Sequence, residues 1–277
     1  MLFLSSRDVE AISQTMDPVA AVREALILHA AGDAGLPAEA YLAWDAPQGG
    51  RARTLNMPGF VGGSISAVGT KIINGNPHNI ELGLPRASGV TLLFDRNTAR
   101  PICIMDAAFI SALRTAAVSL LCLQALRGPK ALRIGVSGAG YLASHHILLL
   151  ANRCKVDRIS IYDTKQRRAE ALKEAILSRG IKTPIDIVDS IEALVGEATC
   201  VVTTTTTSTP YISLDMISPG TLLINVSLDD FDRDVFLGAD KLYVAWSSRA
   251  APIRSLSARS PSRCDWRSRW RIVRSTW

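Results

Sequence analysis

The chain has 277 residues, 48% hydrophobic and 20% charged, with a formal net charge of +6. That balance excludes a disordered or collagen-like chain and gives enough apolar side chains for one or two packed domains. No basic segment precedes an apolar stretch at the start and no apolar run reaches bilayer length, so neither a signal peptide nor a membrane span is expected and the reading is cytoplasmic.

Along the chain, Asp17-Pro18 pairs an N-cap with a first-turn proline. Val19, Val22, Leu26 and His29 follow at helical spacing, predicting an amphipathic helix with His29 packed rather than ligating. Residues 40–74 alternate short apolar runs with glycine and proline, as strands joined by loops do. Residues 90–94 and 101–105, separated by a polar stretch, predict a β-hairpin. Asp106 caps a helix expected over about 107–126, with Ile110, Leu113, Ala117 and Leu121 on one face. From Leu132 strands (132–137, 158–162, 184–188, 199–204, 221–226, 241–245) alternate with helices (141–153, 164–179, 190–196), the pattern of a parallel α/β sheet. The expected fold is α/β, with a Rossmann-type doubly wound domain over residues 128–245 and a smaller α+β domain over residues 1–127. Five scattered cysteines without CxxC spacing, and four histidines, predict neither a disulfide framework nor a metal site.

Residues 246–277 differ in kind. They hold eight arginines, eight serines and four of the five tryptophans, and their only acid is Asp265. The basic charge therefore belongs to this segment, and residues 1–245 are close to neutral. No period runs through it, and its bias is that of translation in a shifted frame of a GC-rich gene. A nucleic-acid-binding arm is the rival reading, disfavoured because the segment has no lysine or glycine.

The densest chemical signal is Gly135-Val136-Ser137-Gly138-Ala139-Gly140-Tyr141-Leu142-Ala143, a strand entering a glycine turn and then a helix. Gly138 suits the tight turn, Gly140 lets the backbone approach a pyrophosphate, and Ala143 lets the helix pack closely. Asp163, after the next apolar run, is placed to accept ribose hydroxyls, which favours NAD; Arg167 and Arg168 soften that preference. A plain βα turn is the alternative.

Several segments then resemble the ornithine cyclodeaminase/mu-crystallin family: Arg53-Thr54-Leu55-Asn56-Met57-Pro58, Gly69-Thr70-Lys71-Ile72, Asn76-Pro77-His78-Asn79, Gly83 to Gly89, Ser111 to Ala117, the glycine turn, and Val201-Val202-Thr203-Thr204-Thr205. Pro85-Arg86-Ala87-Ser88, Ile110 to Ser119 and Asn225-Val226-Ser227-Leu228 are most similar to the branch serving siderophore and peptide-antibiotic pathways. The resemblance implies NAD-dependent oxidation of N-(1-amino-1-carboxy-2-ethyl)glutamate to 2,3-diaminopropionate and 2-oxoglutarate. It also implies a homodimer paired through its first domains, and no nucleic-acid or membrane partner. Ornithine or lysine cyclodeaminase, ketimine reductase and a non-catalytic binder of the mu-crystallin type are the alternatives.

On this resemblance Arg53 and Arg114 hold the substrate carboxylate, as a planar guanidinium does with paired hydrogen bonds. Arg86 holds a further carboxylate or is an exposed loop arginine, and a structural ion pair is the alternative for Arg114. Lys71 points into the site, bonding the carboxylate or the attacking water. Asp229 and Asp230 follow a strand at the sheet's carboxyl edge, and one carries the amine proton. The cyclodeaminase pattern selects Asp229 and the diaminopropionate pattern Asp230, so both stay open, as does a merely solubilising loop acid. Thr115, Gly138, Gly140, Tyr141, Leu142, Asp163, Thr203 and Thr205 are the expected cofactor contacts. His145 and His146 read as packing residues. The family's chain continues past its Rossmann sheet, and nothing after about residue 245 resembles that part, so an unstable or inactive protein is expected.

Overall fold

The computed structural model describes residues 1–127, 130–244 and 271–274. The chain divides into two compact units, Met1–Arg114 and Thr115–Trp277. The readings placed on residues 246–270 and 275–277 lie outside the described residues.

The first unit begins with β1 (Leu2–Leu4), α1 (Ser6–Ser13), α2 (Pro18–Ala30) and β2 (Ala34–Gly35). It continues through β3 (Ala40–Asp45), β4 (Arg51–Val61), β5 (Ala67–Gly75), β6 (Ala87–Phe94) and β7 (Pro101–Asp106) into α3 (Ala108–Arg127), inside which the two units divide. Its sheet runs β1-β7-β6-β5-β4-β2, with β3 on β4. Only β1 pairs parallel; the remaining ladders are antiparallel. Pro58 falls where β4 passes from β3 to β2, a place that tolerates a residue without an N–H.

The predicted caps are present. Asp17 accepts from the Val19 and Ala20 amides, and Asp106 accepts from the Ala108 amide. The predicted stripe of α2 is corrected: Val19 is buried and Val22 and His29 half-buried, but Leu26 is exposed. The packed side runs through Val19 and Leu28 instead, Leu28 lying so close to Gly63 that a Cβ there would meet it at 2.7 Å. By length and composition α3 could also cross a membrane, which corrects the expectation that no segment could. It is read as a core helix, since Ala112, Ala116, Ala117, Leu120 and Leu123 are each at most 1% exposed.

The second unit contains β8 (Leu132–Ser137), α4 (Tyr141–Arg153), β9 (Val156–Tyr162), α5 (Gln166–Ser178), β10 (Ile185–Ile187), α6 (Ile191–Glu197) and β11 (Cys200–Thr203). It ends with β12 (Leu222–Asn225), α7 (Arg233–Gly238), β13 (Lys241–Val244) and β14 (Arg271–Arg274). The sheet is parallel throughout, in the order β10-β9-β8-β11-β12-β14-β13. The chain starts in the middle at β8, runs outward to β10, returns to β11 beside β8 and then winds the other way. This is the expected doubly wound topology. Strands buried on both faces read as continuous apolar runs, as β11 and β12 do with every residue buried. Leu194, Val195, Ile212, Leu223, Phe231 and Val235 pack into one cluster beside them.

β14 had no counterpart in the sequence reading. It pairs parallel with β12 on one side and β13 on the other, Ile272 opposite Leu223 and Leu242. Four residues with one β-branched pair carry too short a period to be seen.

Candidate functional site

In the first unit β4 and β5 bring Arg53 and Lys71 to one sheet face, and Arg86 stands at the mouth of β6 near Arg53. Arg53 lies opposite Gly75 and Met57 opposite Lys71, and directly paired residues share a face, so Arg53 and Lys71 do too. Arg86 immediately precedes Ala87, the partner of Gly75, and its carbonyl accepts from the Asn76 amide. Lys71 Nζ donates to Ser111 Oγ at 3.3 Å in the first turn of α3, and Arg114 follows one turn later. A largely apolar groove of about 220 Å³, lined by Met57, Phe60, Val68, Thr91 and Leu93, opens beside Lys71.

The electrostatics of this face are one-sided. Desolvation, then the charge of Arg114, holds the Lys71 ammonium at about 7, against an opposing pull from Glu39. Desolvation also lowers Arg114 to about 10, leaving it a cation at neutral pH. Burial and then neighbouring Arg53 lower Arg86. Among the described residues no carboxylate pairs with Arg53 or Arg86, and the buried Nε of Arg86 has no hydrogen-bond partner. Unopposed guanidiniums close enough to repel each other form a site for anions.

In the second unit β8 leads into the glycine turn. Gly138 has φ +91°, and a Cβ there would meet the Thr204 carbonyl carbon at 3.0 Å and the Thr205 nitrogen at 3.1 Å. Gly140 is the N-cap of α4 and makes no side-chain cap bond, so no side chain closes this helix start to a phosphate. Ala143 is fully buried, meeting the expected need for close helix packing. Asp163 Oδ2 accepts from the Ala139 amide at 2.8 Å and Oδ1 from the Lys165 amide at 2.9 Å. Arg168 Nη1 lies 3.9 Å from Oδ2. The carboxylate thus clamps the turn, and each oxygen keeps a further acceptor position for a ribose hydroxyl. A helix start with no side-chain cap, a turn with no room for a side chain and an acid beside it fit a dinucleotide.

The other expected cofactor residues are distributed around this turn. Tyr141 is exposed and its ring lies tilted against that of His145, centroids 4.5 Å apart; Leu142 is half-buried. The Tyr141 and Leu142 carbonyls accept from Nδ1 of His145 and His146, and His146 Nε2 accepts from Ser119 Oγ at 2.9 Å, the packing role expected for that buried pair. Thr115 is buried at the start of the unit. Thr203 Oγ1 donates to Asn225 Oδ1 at 3.1 Å, and Thr205 Oγ1 to Asp230 Oδ1 at 2.6 Å.

Asp229 and Asp230, alike in sequence, are unlike in place. Asp229 is exposed just beyond β12, whereas Asp230 is 0% exposed and accepts from Thr205, Tyr211 and Ser227. Sequence reasoning missed Tyr211, which no motif marks, and Ser227, although it stood inside the quoted segment at 225–228. It also missed Ser111, although that residue stood inside a quoted segment.

Comparison with known proteins bears on this arrangement. The model of the ornithine cyclodeaminase/mu-crystallin family matches residues 1–244. The N-((2S)-2-amino-2-carboxyethyl)-L-glutamate dehydrogenase of Staphylococcus aureus is 30% identical over 89% of this chain and 75% of its own. Among solved structures, CmnK is 36% identical with a TM-score of 0.80, covering 88% of this chain and 74% of its own. The Δ1-pyrroline-2-carboxylate reductase of Thermococcus litoralis, solved with NADH and L-proline, has the same TM-score at 23% identity, over 88% of this chain and 75% of its own.

Proposed function

Because the chain belongs to the ornithine cyclodeaminase/mu-crystallin family, we propose that it is an NAD-dependent oxidoreductase of carbon–nitrogen bonds whose substrate is a polycarboxylic secondary amine. The specific substrate is N-(1-amino-1-carboxy-2-ethyl)glutamate, and the active form is a homodimer. The likeness to the Staphylococcus aureus dehydrogenase supports this reading. The observation that carries it is the cation face of the first unit: Arg53 and Arg86 without carboxylate partners, besides Lys71 and Arg114. Ornithine and lysine carry two amino groups against one carboxylate, leaving the cations of this face unneutralised. A substrate with three carboxylates neutralises it.

Bound NAD supplies the hydride acceptor, and the protein supplies position and charge. Arg53, Arg86 and Arg114 fix the carboxylates. In place of the Asp230 that the diaminopropionate pattern selects, which is buried, exposed Asp229 accepts the amine proton as the bond from nitrogen to the glutamate α-carbon becomes an imine. Lys71, held at about 7, then accepts a proton from the water that adds to the imine carbon. Carbon–nitrogen cleavage gives 2,3-diaminopropionate and 2-oxoglutarate. One water is consumed, and one hydride and one proton are released.

The test is absorbance at 340 nm with NAD and either N-(1-amino-1-carboxy-2-ethyl)glutamate or ornithine, with ammonia assayed in both. NADH from the first substrate alone is the expected result. Ammonia from ornithine without NADH replaces the reading with a cyclodeaminase. NADH binding without turnover of either replaces it with another substrate or a binder.

A further inference from the structure

Once Asp229 carries the proton, Asp230 is left without a chemical step, yet the structure invests heavily in it. Thr205 Oγ1 donates to Oδ1 at 2.6 Å, Tyr211 Oη to the same oxygen at 3.0 Å, and Ser227 Oγ to Oδ2. Ser137 Oγ donates in turn to Tyr211 Oη at 2.7 Å, and Ser227 Oγ accepts from the Thr205 amide at 3.1 Å. The Asp230 carbonyl accepts from the Tyr211 and Ile212 amides, each at 3.0 Å. These groups come from the ends of β8, β11 and β12 and from the segment at 211–212. They are the strand ends at which a doubly wound sheet takes its ligand.

We infer that Asp230 is a positioning residue: its buried carboxylate ties the glycine turn, the threonine run and the loop after β12 into one rigid rim, fixing Thr205 and the neighbouring Asp229 in their working places. The inference rests on the NAD-dependent reading of the same site. A carboxylate with no exposure and three hydroxyl donors is poorly placed to exchange protons with a substrate; Asp229, exposed and one residue away, is free to do so. Burial and then the Asp230 charge push the Tyr211 phenol upward, so Tyr211 stays a donor across the working range. The threonine run, which reads in sequence as β-favouring residues, becomes part of the rim: Thr204 Oγ1 lies 3.2 Å from the Ser137 carbonyl oxygen and 3.1 Å from that of Gly138.

The experiment compares Asp230→Asn, Tyr211→Phe and Asp229→Asn with the unaltered chain. NADH affinity is measured by fluorescence titration, turnover as kcat and KM per NADH-titrated site, and folding by circular dichroism. Asp230→Asn keeps the shape but removes the charge, and is expected to weaken NADH binding and lower kcat by roughly ten- to a hundredfold each. Tyr211→Phe is expected to do both more mildly, roughly three- to tenfold, in a folded protein. Asp229→Asn is expected to leave NADH affinity unchanged and abolish turnover, which persists at a lowered rate in Asp230→Asn. Unchanged NADH affinity in both rim variants overturns the inference, as does abolished turnover in a folded Asp230→Asn while Asp229→Asn still turns over. Should Asp230→Asn not fold, Tyr211→Phe decides. Should the unaltered chain not oxidise the proposed substrate, the NADH titrations decide alone.

Discussion

Lys71 shows how a single residue acquires chemistry from its surroundings. On an apolar strand its sequence permits an ordinary solvated lysine, but desolvation and Arg114 bring it to about 7 from 10.5. Its neutral amine therefore grows as pH rises through 7, and kcat/KM is expected to rise with it. In Lys71→Met the rise disappears and kcat falls by about 10² to 10⁴; an unchanged profile removes Lys71 from the water step. Stability carries the same sign. Between about 7 and 10.5 the unfolded chain binds the proton that the folded chain has lost, so Lys71 adds stability as pH rises through that window. Thermal melts at pH 6 and pH 9 are expected to show a smaller gain for Lys71→Met than for the unaltered chain. Arg86 is tested differently: Arg86→Gln is expected to raise KM for N-(1-amino-1-carboxy-2-ethyl)glutamate roughly tenfold or more while leaving NADH affinity intact. A KM that does not move makes Arg86 a bystander. At this scale the sequence named the residue types but left Asp229 and Asp230 equivalent. What separates them comes from Thr205 and Tyr211, 25 and 19 positions away, and no local pattern encodes that.

At the scale of elements, legibility followed length and period. The glycine turn and α4 were readable because each position answers one steric demand, and Gly138 is the strictest of them. Gly138→Ala forces a side chain into a left-handed conformation, costing about 1–2 kcal/mol, and presses its Cβ against the backbone of Thr204. A lower melting temperature and at least a tenfold loss of NADH affinity are expected, the first by calorimetry and the second by titration. Full affinity shows that the turn does not cradle the phosphates. Short elements escaped the reading. The six residues of α7 are too few for a period. α1 did carry a signal, the reciprocal bonds of Ser5 and Asp8, but its apolar content did not draw attention to it. The face of α2 was misplaced because the side that packs is set by its neighbours β2 and β4, not by the best-spaced stripe.

For the whole molecule, the placement of β14 links the anomalous last segment to the sheet that forms the dinucleotide turn. β12 is buried along its whole length, and β14 completes its second ladder while also supplying the ladder of β13. Removing residues 246–277 therefore turns β12 into an edge strand and leaves β13 without a partner. Edge exposure of a fully apolar strand invites aggregation, and the unpaired backbone groups weaken the sheet around the glycine turn. The truncated chain 1–245 is expected to melt at lower temperature, scatter light at concentrations where the full chain does not, and bind NADH more weakly. The truncation also removes eight arginines, taking the basic charge with it. Charge loss alone changes the salt dependence of solubility but not the melting temperature at high salt, where surface charges are screened. Melting both chains in 0.5 M salt separates the two effects. A persistent difference assigns the stability to the β14 ladders, and coincident melts show that the sheet stands without them.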